Sequence, residues 1–222
     1  MYKIKNVLKC INMIRLGYLD ENKNNRNTFY RIFKKDFEVV MLDDFAKVRT
    51  LDLLLEEMDK QEIQVLAVDY KLSEKGDVEY DGDRVLEIIN ERKRYFPVFM
   101  MTSYVDTALK KVNNTFLVND KDGLNDPKTV EMLKNQIKCS VESYHRIVHD
   151  IEQRTKELET KQDSEEGLTD DEEKELLNLH VELSKIDPAA NPLSPDKMQT
   201  DAVKDLRSLV SLSEEILKSL NK

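Results

Sequence analysis

Val65-Leu66-Ala67-Val68-Asp69 is a short apolar run closed by a carboxylate. A run of this length, bounded by polar residues and rich in β-branched side chains, suits a strand buried on both faces. The pattern recurs on either side of it. Ile14-Arg-Leu-Gly-Tyr-Leu19 stops at Asp20-Glu21-Asn22, and Phe37-Glu-Val-Val-Met-Leu42 stops at Asp43-Asp44. Downstream, Pro97-Val-Phe-Met-Met101 ends at Thr102, and Thr115-Phe-Leu-Val118 ends near Lys121. The intervening stretches carry apolar residues at helical spacing: 24–35 through Phe29, Ile32 and Phe33; 47–60 through Val48, Leu51, Leu54, Leu55 and Met58; 84–95 through Val85, Leu86, Ile88 and Ile89; and 105–112. Strands alternating with helices predict an α/β fold, a five-stranded parallel sheet covered by helices on both faces.

In open sheets of this kind, functional groups gather beyond the carboxyl ends of the strands. Asp20, Glu21, Asp69, Thr102 and Lys121 all fall at such ends. Three carboxylates near one point suit a hard divalent cation such as Mg²⁺, which takes one or two carboxylates together with waters and phosphate oxygens. Without a cation, carboxylates so close repel and raise one another's pKa. Thr102 supplies a hydroxyl and Lys121 a point charge for phosphoryl oxygens. Together they predict phosphoryl transfer onto a carboxylate nucleophile, a reaction that depends on positioning and charge neutralisation. The pair Asp43-Asp44 is a rival, but it lies 25 residues before Asp69, too few for a helix, a strand and a second helix. Its expected role is helix capping.

These fragments resemble the receiver domain of bacterial response regulators. The resemblance lies in Tyr18-Leu-Asp20-Glu21-Asn, Val68-Asp69-Tyr-Lys-Leu72, Asp81-Gly82-Asp-Arg-Val-Leu86, Pro97-Val-Phe-Met-Met-Thr102-Ser103 and Phe116-Leu-Val-Asn-Asp-Lys121, spread over roughly residues 14–135. It implies a receiver, or flavodoxin-like, fold. It implies Asp69 as phosphoacceptor, Asp20, Glu21 and Asp69 as Mg²⁺ ligands, Thr102 as the switch hydroxyl and Lys121 as the phosphate-sensing ammonium. The partner it implies is a histidine kinase or phosphorelay protein, with no enzymatic activity beyond self-catalysed phosphotransfer and dephosphorylation at Asp69. The chain departs from the family in a longer loop after Asp69. It also has Asp122 where a proline usually follows the lysine, and Val118 where an aromatic is common. Two other readings are weaker. A haloacid-dehalogenase-type phosphohydrolase needs a second aspartate two residues after the nucleophile, where this chain has Lys71. A receiver-like module that is never phosphorylated would not require the acid cluster.

Beyond residue 126 the pattern changes, and the expected division is a receiver over 1–126 and a helical output or dimerisation region over 127–222. Ile137, Val141, Tyr144, Val148, Ile151 and Leu158 form a heptad-like seam, which predicts a helical bundle or a coiled-coil homodimer. Gln162–Gly167 is a polar break, Thr169-Asp-Asp-Glu172 is a capping box opening a helix to about Lys185, and prolines 188, 192 and 195 precede a last helix over 196–220. His145, His149 and His180 are expected to be solvated or packing residues. The net charge of −9 is concentrated here: residues 151–222 hold 18 acidic and 10 basic side chains, a net of −8. A negative segment repels phosphate backbones, so the expected target is a protein rather than nucleic acid. Cys10 and Cys139 are expected to be reduced thiols. The N-terminal segment lacks a signal-peptide core and no run is long enough to span a bilayer, which predicts a cytoplasmic protein away from membranes.

Overall fold

A computed structural model describes residues 13–111, 118–165 and 167–187. Five strands, β1 (Arg15–Leu19), β2 (Glu38–Met41), β3 (Val65–Val68), β4 (Val98–Thr102) and β5 (Val118–Asp120), form one parallel sheet in the order 2-1-3-4-5. The helices are α1 (Lys23–Phe33), α2 (Leu51–Lys60), α3 (Gly82–Arg92), α4 (Val105–Lys111), α5 (Pro127–Gln162) and α6 (Asp170–Ile186). The strand order reverses between β1 and β3, and there the two central strands diverge to their crossovers and leave a crevice.

Successive side chains on a strand point to opposite faces, and the core divides accordingly. Leu66, Val68, Val98 and Met100 point to one face, with Leu54, Met58, Val85 and Ile89 from α2 and α3. Val65, Ala67, Phe99 and Met101 point to the other, with Phe29 and Phe33 from α1 and Leu133, Ile137 and Val141 from α5. All of β3 and β4 is therefore buried, which explains why those strands read as unbroken apolar runs. Asn22 caps α1 by accepting from the Asn24 N–H, and Thr50 caps α2 by accepting from Leu53.

Several boundaries differ from the sequence reading. The helix expected from residue 47 begins at Leu51, after a 3-10 turn over Phe45–Lys47. Asp44 does not cap this turn with its side chain but pairs with Lys47 at 2.6 Å, while Asp43 lies 4.0 Å from Arg26. The third helix stops at Arg92 rather than 95, and Tyr95 sits in the left-handed region at φ 67°. The last strand runs from Val118 to Asp120; the expected strand residues 115–117, Cys10, the proline-rich loop and the helix over 196–220 lie outside the described residues.

By compactness the described residues divide within α5: one unit holds those of 13–91 and 95–144, the other those of 92–94 and 145–187. The sequence pattern changes earlier, at 127, because α5 contributes its first four turns to the sheet's core. Leu133, Ile137 and Val141 are buried there, and Tyr144 meets Phe96 edge-on at 6.1 Å. In the second unit Thr155 and Leu158 of α5 and Leu176, His180, Leu183 and Ile186 of α6 are buried. Arg154–Glu175 and Lys161–Glu172 ion pairs join the two helices. The Thr169–Glu172 capping box is formed as read from the sequence. Among the described residues, no helix is long and apolar enough to cross a membrane.

Candidate functional site

The site begins with Asp20 and Asp69, each the first residue beyond a central strand. β1 and β3 pair in register with Leu19 opposite Val68, so the two carboxylates leave neighbouring strands at the same level. The backbone continues the pairing, with the Asp69 N–H donating to Leu19 O at 2.9 Å. Asp20 is fully buried, and Asp69 is 6 % exposed. Lys121, immediately after β5, reaches both: its Nζ lies 2.7 Å from Asp20 Oδ2 and 2.7 Å from Asp69 Oδ2. Its partners are 101 and 52 residues away in sequence. Only the sheet topology brings this ammonium between these two acids.

Asp20 is held by more than the lysine. Its Oδ2 accepts from Tyr18 Oη at 2.7 Å and from Asn25 Nδ2 at 3.1 Å, and its Oδ1 accepts from the Asn22 N–H at 2.7 Å. Arg26 donates to its backbone carbonyl at 2.6 Å. Tyr18 stacks on Phe29 with ring centroids 3.8 Å apart, which fixes the hydroxyl beside the carboxylate. Burial first, then the charge of Asp20, pushes the Tyr18 phenol far above its ordinary pKa, so it remains a donor. Tyr18, Asn25 and Arg26 were missed in the sequence reading. The spacing of Tyr18 and Asp20 was the available signal, since residues two apart on a strand share a face.

Asp69 is less heavily engaged. Its Oδ1 accepts from the Tyr70 N–H at 2.8 Å and its Oδ2 pairs with Lys121. Burial pushes its pKa up to about 6, against the pull of Lys121 and with a further push from Asp20. Behind it, the N-terminus of α3 packs on the strand end so closely that a Cβ on Gly82 would lie 2.3 Å from the Asp69 carbonyl oxygen. The Gly82 N–H donates to Tyr70 O at 2.8 Å. This close approach is the physical reason for a glycine after Asp81.

Thr102 ends β4, the strand beside β3, and is fully buried; its Oγ1 accepts from the Tyr104 N–H at 3.0 Å, which leaves the hydroxyl proton to donate elsewhere. Glu21 is engaged by a different lysine. Its Oε2 accepts from the Lys75 N–H at 3.2 Å, on the loop after β3. The structure therefore gathers Asp20, Asp69 and Lys121, sets Thr102 on the adjoining strand end and ties Glu21 to the rim. Among the described residues, no group of three metal-ligating side chains is assembled. The donor chemistry nonetheless suits a hard cation. Two buried carboxylates share one ammonium, and Asp69 retains unengaged lone pairs. Of the histidines, His145 and His149 are exposed on α5, and His180 is buried with Nε2 3.7 Å from Glu159. Cys139 is an exposed free thiol.

No family model matches the chain, and no curated protein matches it by sequence. Solved structures do match. The signal receiver domain of an HD domain-containing protein from Pseudomonas fluorescens Pf-5 is 12% identical, with TM-score 0.45, covering 64% of this chain and 96% of that one. The RcsB response regulator of Salmonella typhimurium is 15% identical, with TM-score 0.44, covering 90% of this chain and all of that one. The N-terminal domain of a response regulator receiver protein from Methanoculleus marisnigri JR1 is 15% identical, with TM-score 0.36 over 57% of this chain and 95% of that one. The 2-1-3-4-5 parallel order, with helices on both faces and the acids at the switch point, gives this chain the receiver-type α/β fold on its own geometry.

Proposed function

We propose that residues 13–144 act as a phosphoacceptor switch, with Asp69 as the group that takes a phosphoryl unit from a partner histidine kinase or phosphorelay protein. The observation that carries this reading is the single ammonium of Lys121 set 2.7 Å from the carboxylates of both Asp20 and Asp69. A surface ion pair needs no such arrangement. Two buried acids with one counter-charge hold a net negative site in which the second acid is poised for chemistry.

The step would run as follows. A carboxylate oxygen of Asp69 forms a bond to phosphorus while the bond from phosphorus to the donor's imidazole nitrogen breaks. The imidazole keeps the electron pair and takes a proton from solvent. Lys121 lies where the new phosphoryl oxygens would gather, and the Thr102 hydroxyl is free to donate to one of them. Asp20 and Asp69, joined by Glu21 once that side chain is released from Lys75, would hold Mg²⁺. The cation would neutralise charge on the transferring oxygens.

The output of such a switch would be a protein contact. α5 runs on into the second unit, where α6 follows; the apolar seam of α5 would serve a homodimer, and the net charge of −8 over 151–222 favours a protein target over nucleic acid. A phosphohydrolase of the haloacid-dehalogenase type is disfavoured, because Lys71 occupies the position of the second acid and its Nζ lies 3.9 Å from Asp81. The test is intact-mass measurement after incubation with acetyl phosphate and Mg²⁺. Wild type should gain one phosphoryl unit, and Asp69→Asn none. Equal labelling of the two proteins would place the acceptor elsewhere and defeat the proposal.

A further inference from the structure

The acids of the crevice are satisfied by protein donors to different degrees. A carboxylate offers about four lone-pair sites. Asp20 takes three donors on Oδ2, from Tyr18 Oη, Asn25 Nδ2 and Lys121 Nζ, and one on Oδ1, from the Asn22 N–H, which leaves Oδ1 a lone pair for a cation. None of these leaves easily: Tyr18 is a buried stacked ring, Asn22 donates from the backbone, Asn25 is on α1, and the Lys121 side chain is only 10 % exposed. Glu21 is the exception. Its side chain is 11 % exposed, yet its partner Lys75 is 53 % exposed. Lys75 donates its N–H to Glu21 Oε2 at 3.2 Å, and its Nζ lies 3.2 Å from Glu21 O and 3.9 Å from Oε1.

The loop that carries Lys75 is pinned at both ends. Leu72, Val78 and Tyr80 are buried, Asp81 Oδ1 accepts from the N–H groups of Leu72 and Ser73, and the Glu79 N–H donates to Arg49 O. Between these pins lie only residues 74–77, with Gly76 at φ 76°. This short span is exposed outside the core, and Lys75 within it meets the one acid that Lys121 leaves untouched.

We propose that Lys75 is a strap that occupies Glu21 in place of a divalent cation, so that cation binding at the crevice requires its release. This rests on the reading of the crevice as a cation-assisted phosphoacceptor site. The longer loop after Asp69 then has a purpose: it sets a backbone N–H on the Glu21 carboxylate at the rim, with the Lys75 ammonium on the Glu21 main-chain oxygen, apart from the buried ammonium of Lys121. The device makes metal uptake, rather than phosphodonor access, the step that a partner touching residues 74–77 would control.

Mn²⁺, bound by the full chain and followed by electron paramagnetic resonance and titration calorimetry, reads the strap directly. Lys75→Pro, which removes the N–H together with the ammonium, should bind Mn²⁺ roughly fivefold more tightly than wild type, the scale of losing one hydrogen bond to a partly exposed carboxylate. Glu21→Gln should weaken binding, and in that background Lys75→Pro should change nothing further. The proposal is overturned if Lys75→Pro and wild type bind alike. It is also overturned if the gain persists undiminished beside Glu21→Gln, which would make it a general charge effect, or if neither protein takes up Mn²⁺. Labelling of Asp69 by acetyl phosphate is scored separately. Normal labelling with an unchanged Mn²⁺ affinity removes the strap and leaves the phosphoacceptor standing; a Mn²⁺ shift without labelling does the reverse.

Discussion

Two lysine–carboxylate pairs in this chain have the same length and opposite consequences. Lys121 lies 2.7 Å from Asp69, and Lys161 lies 2.7 Å from Glu172. Each acid also accepts from a backbone N–H, of Tyr70 and of Thr169 respectively. Yet Asp69 has its pKa pushed up to about 6, while Glu172 has its pKa drawn down to about 2. The Asp69 side chain is 8 % exposed and faces a second buried carboxylate, whereas that of Glu172 is 23 % exposed and its lysine serves it alone. Desolvation is the largest influence on Asp69 and outweighs its lysine, while at Glu172 the hydrogen bonds from Lys161 and from the Thr169 N–H both exceed the opposing effect of burial. Contact distance alone says little about what an ion pair does; the surroundings decide whether the acid becomes harder or easier to protonate.

Removing the crevice lysine should produce the largest effect. Lys121→Met leaves two carboxylates buried together without a counter-charge. Breaking a buried pair in this way costs on the order of 3–5 kcal/mol. Urea denaturation at pH 7.5 should show the loss in full, and it should shrink towards pH 5 as Asp69 takes up a proton. A loss that is the same at both pH values would mean that packing of the lysine stem, not charge, holds the crevice together.

Asp69→Asn sharpens the comparison from the other side. The folded protein binds the Asp69 proton more tightly than the unfolded chain does, since the pKa rises from 3.8 to about 6. That stabilisation is present below the unfolded value and is lost as pH rises through about 6. Asparagine cannot ionise, so the variant should match wild type near pH 4. It should exceed wild type at pH 7.5, by roughly 2–3 kcal/mol at most. A variant less stable than wild type at pH 7.5 would show that Lys121 gains more from Asp69 than burial costs.

Much of the crevice was legible in the sequence because its members end apolar runs. Asp20, Asp69 and Thr102 follow β1, β3 and close β4, and strand ends are where a parallel sheet gathers chemistry. Glu21 was read as a ligand of the same cluster, but adjacency in sequence sends neighbouring side chains in different directions, and Lys75 holds it at the rim. The donors to Asp20 were harder to read, because hydrogen bonds from Tyr18 and Asn25 leave no trace in periodicity or composition. The seam on α5 divides for a related reason. Ile137 and Val141 repeat like a coiled coil and face the sheet's second core, while Leu158 farther along is buried in the second unit, since a helix packs with the same spacing against any apolar surface. The Thr169–Glu172 box was plain, being a purely local device.

The smallest change is expected from the exposed pair, and its sign is reversed. Glu172 is drawn down first by Lys161 and then by the Thr169 N–H, so its contribution is present above the unfolded value of 4.5 and is lost as pH falls towards about 2. Glu172→Gln should therefore lower the melting temperature slightly at pH 7 and not at pH 2. The lysine part of that drop should fade as salt is raised to about 0.5 M, where exposed charges are screened within a few ångströms. What survives in salt is the cap, because a glutamine at this position still accepts from the Thr169 N–H. Hydrogen exchange at the amides of the first turn of α6 separates the two contributions: protection should drop little in Glu172→Gln and considerably in Thr169→Ala. The effect of Lys121→Met, by contrast, should be nearly indifferent to salt, because its charges lie where mobile ions do not reach. If salt erased both effects alike, burial could not be what separates Asp69 from Glu172.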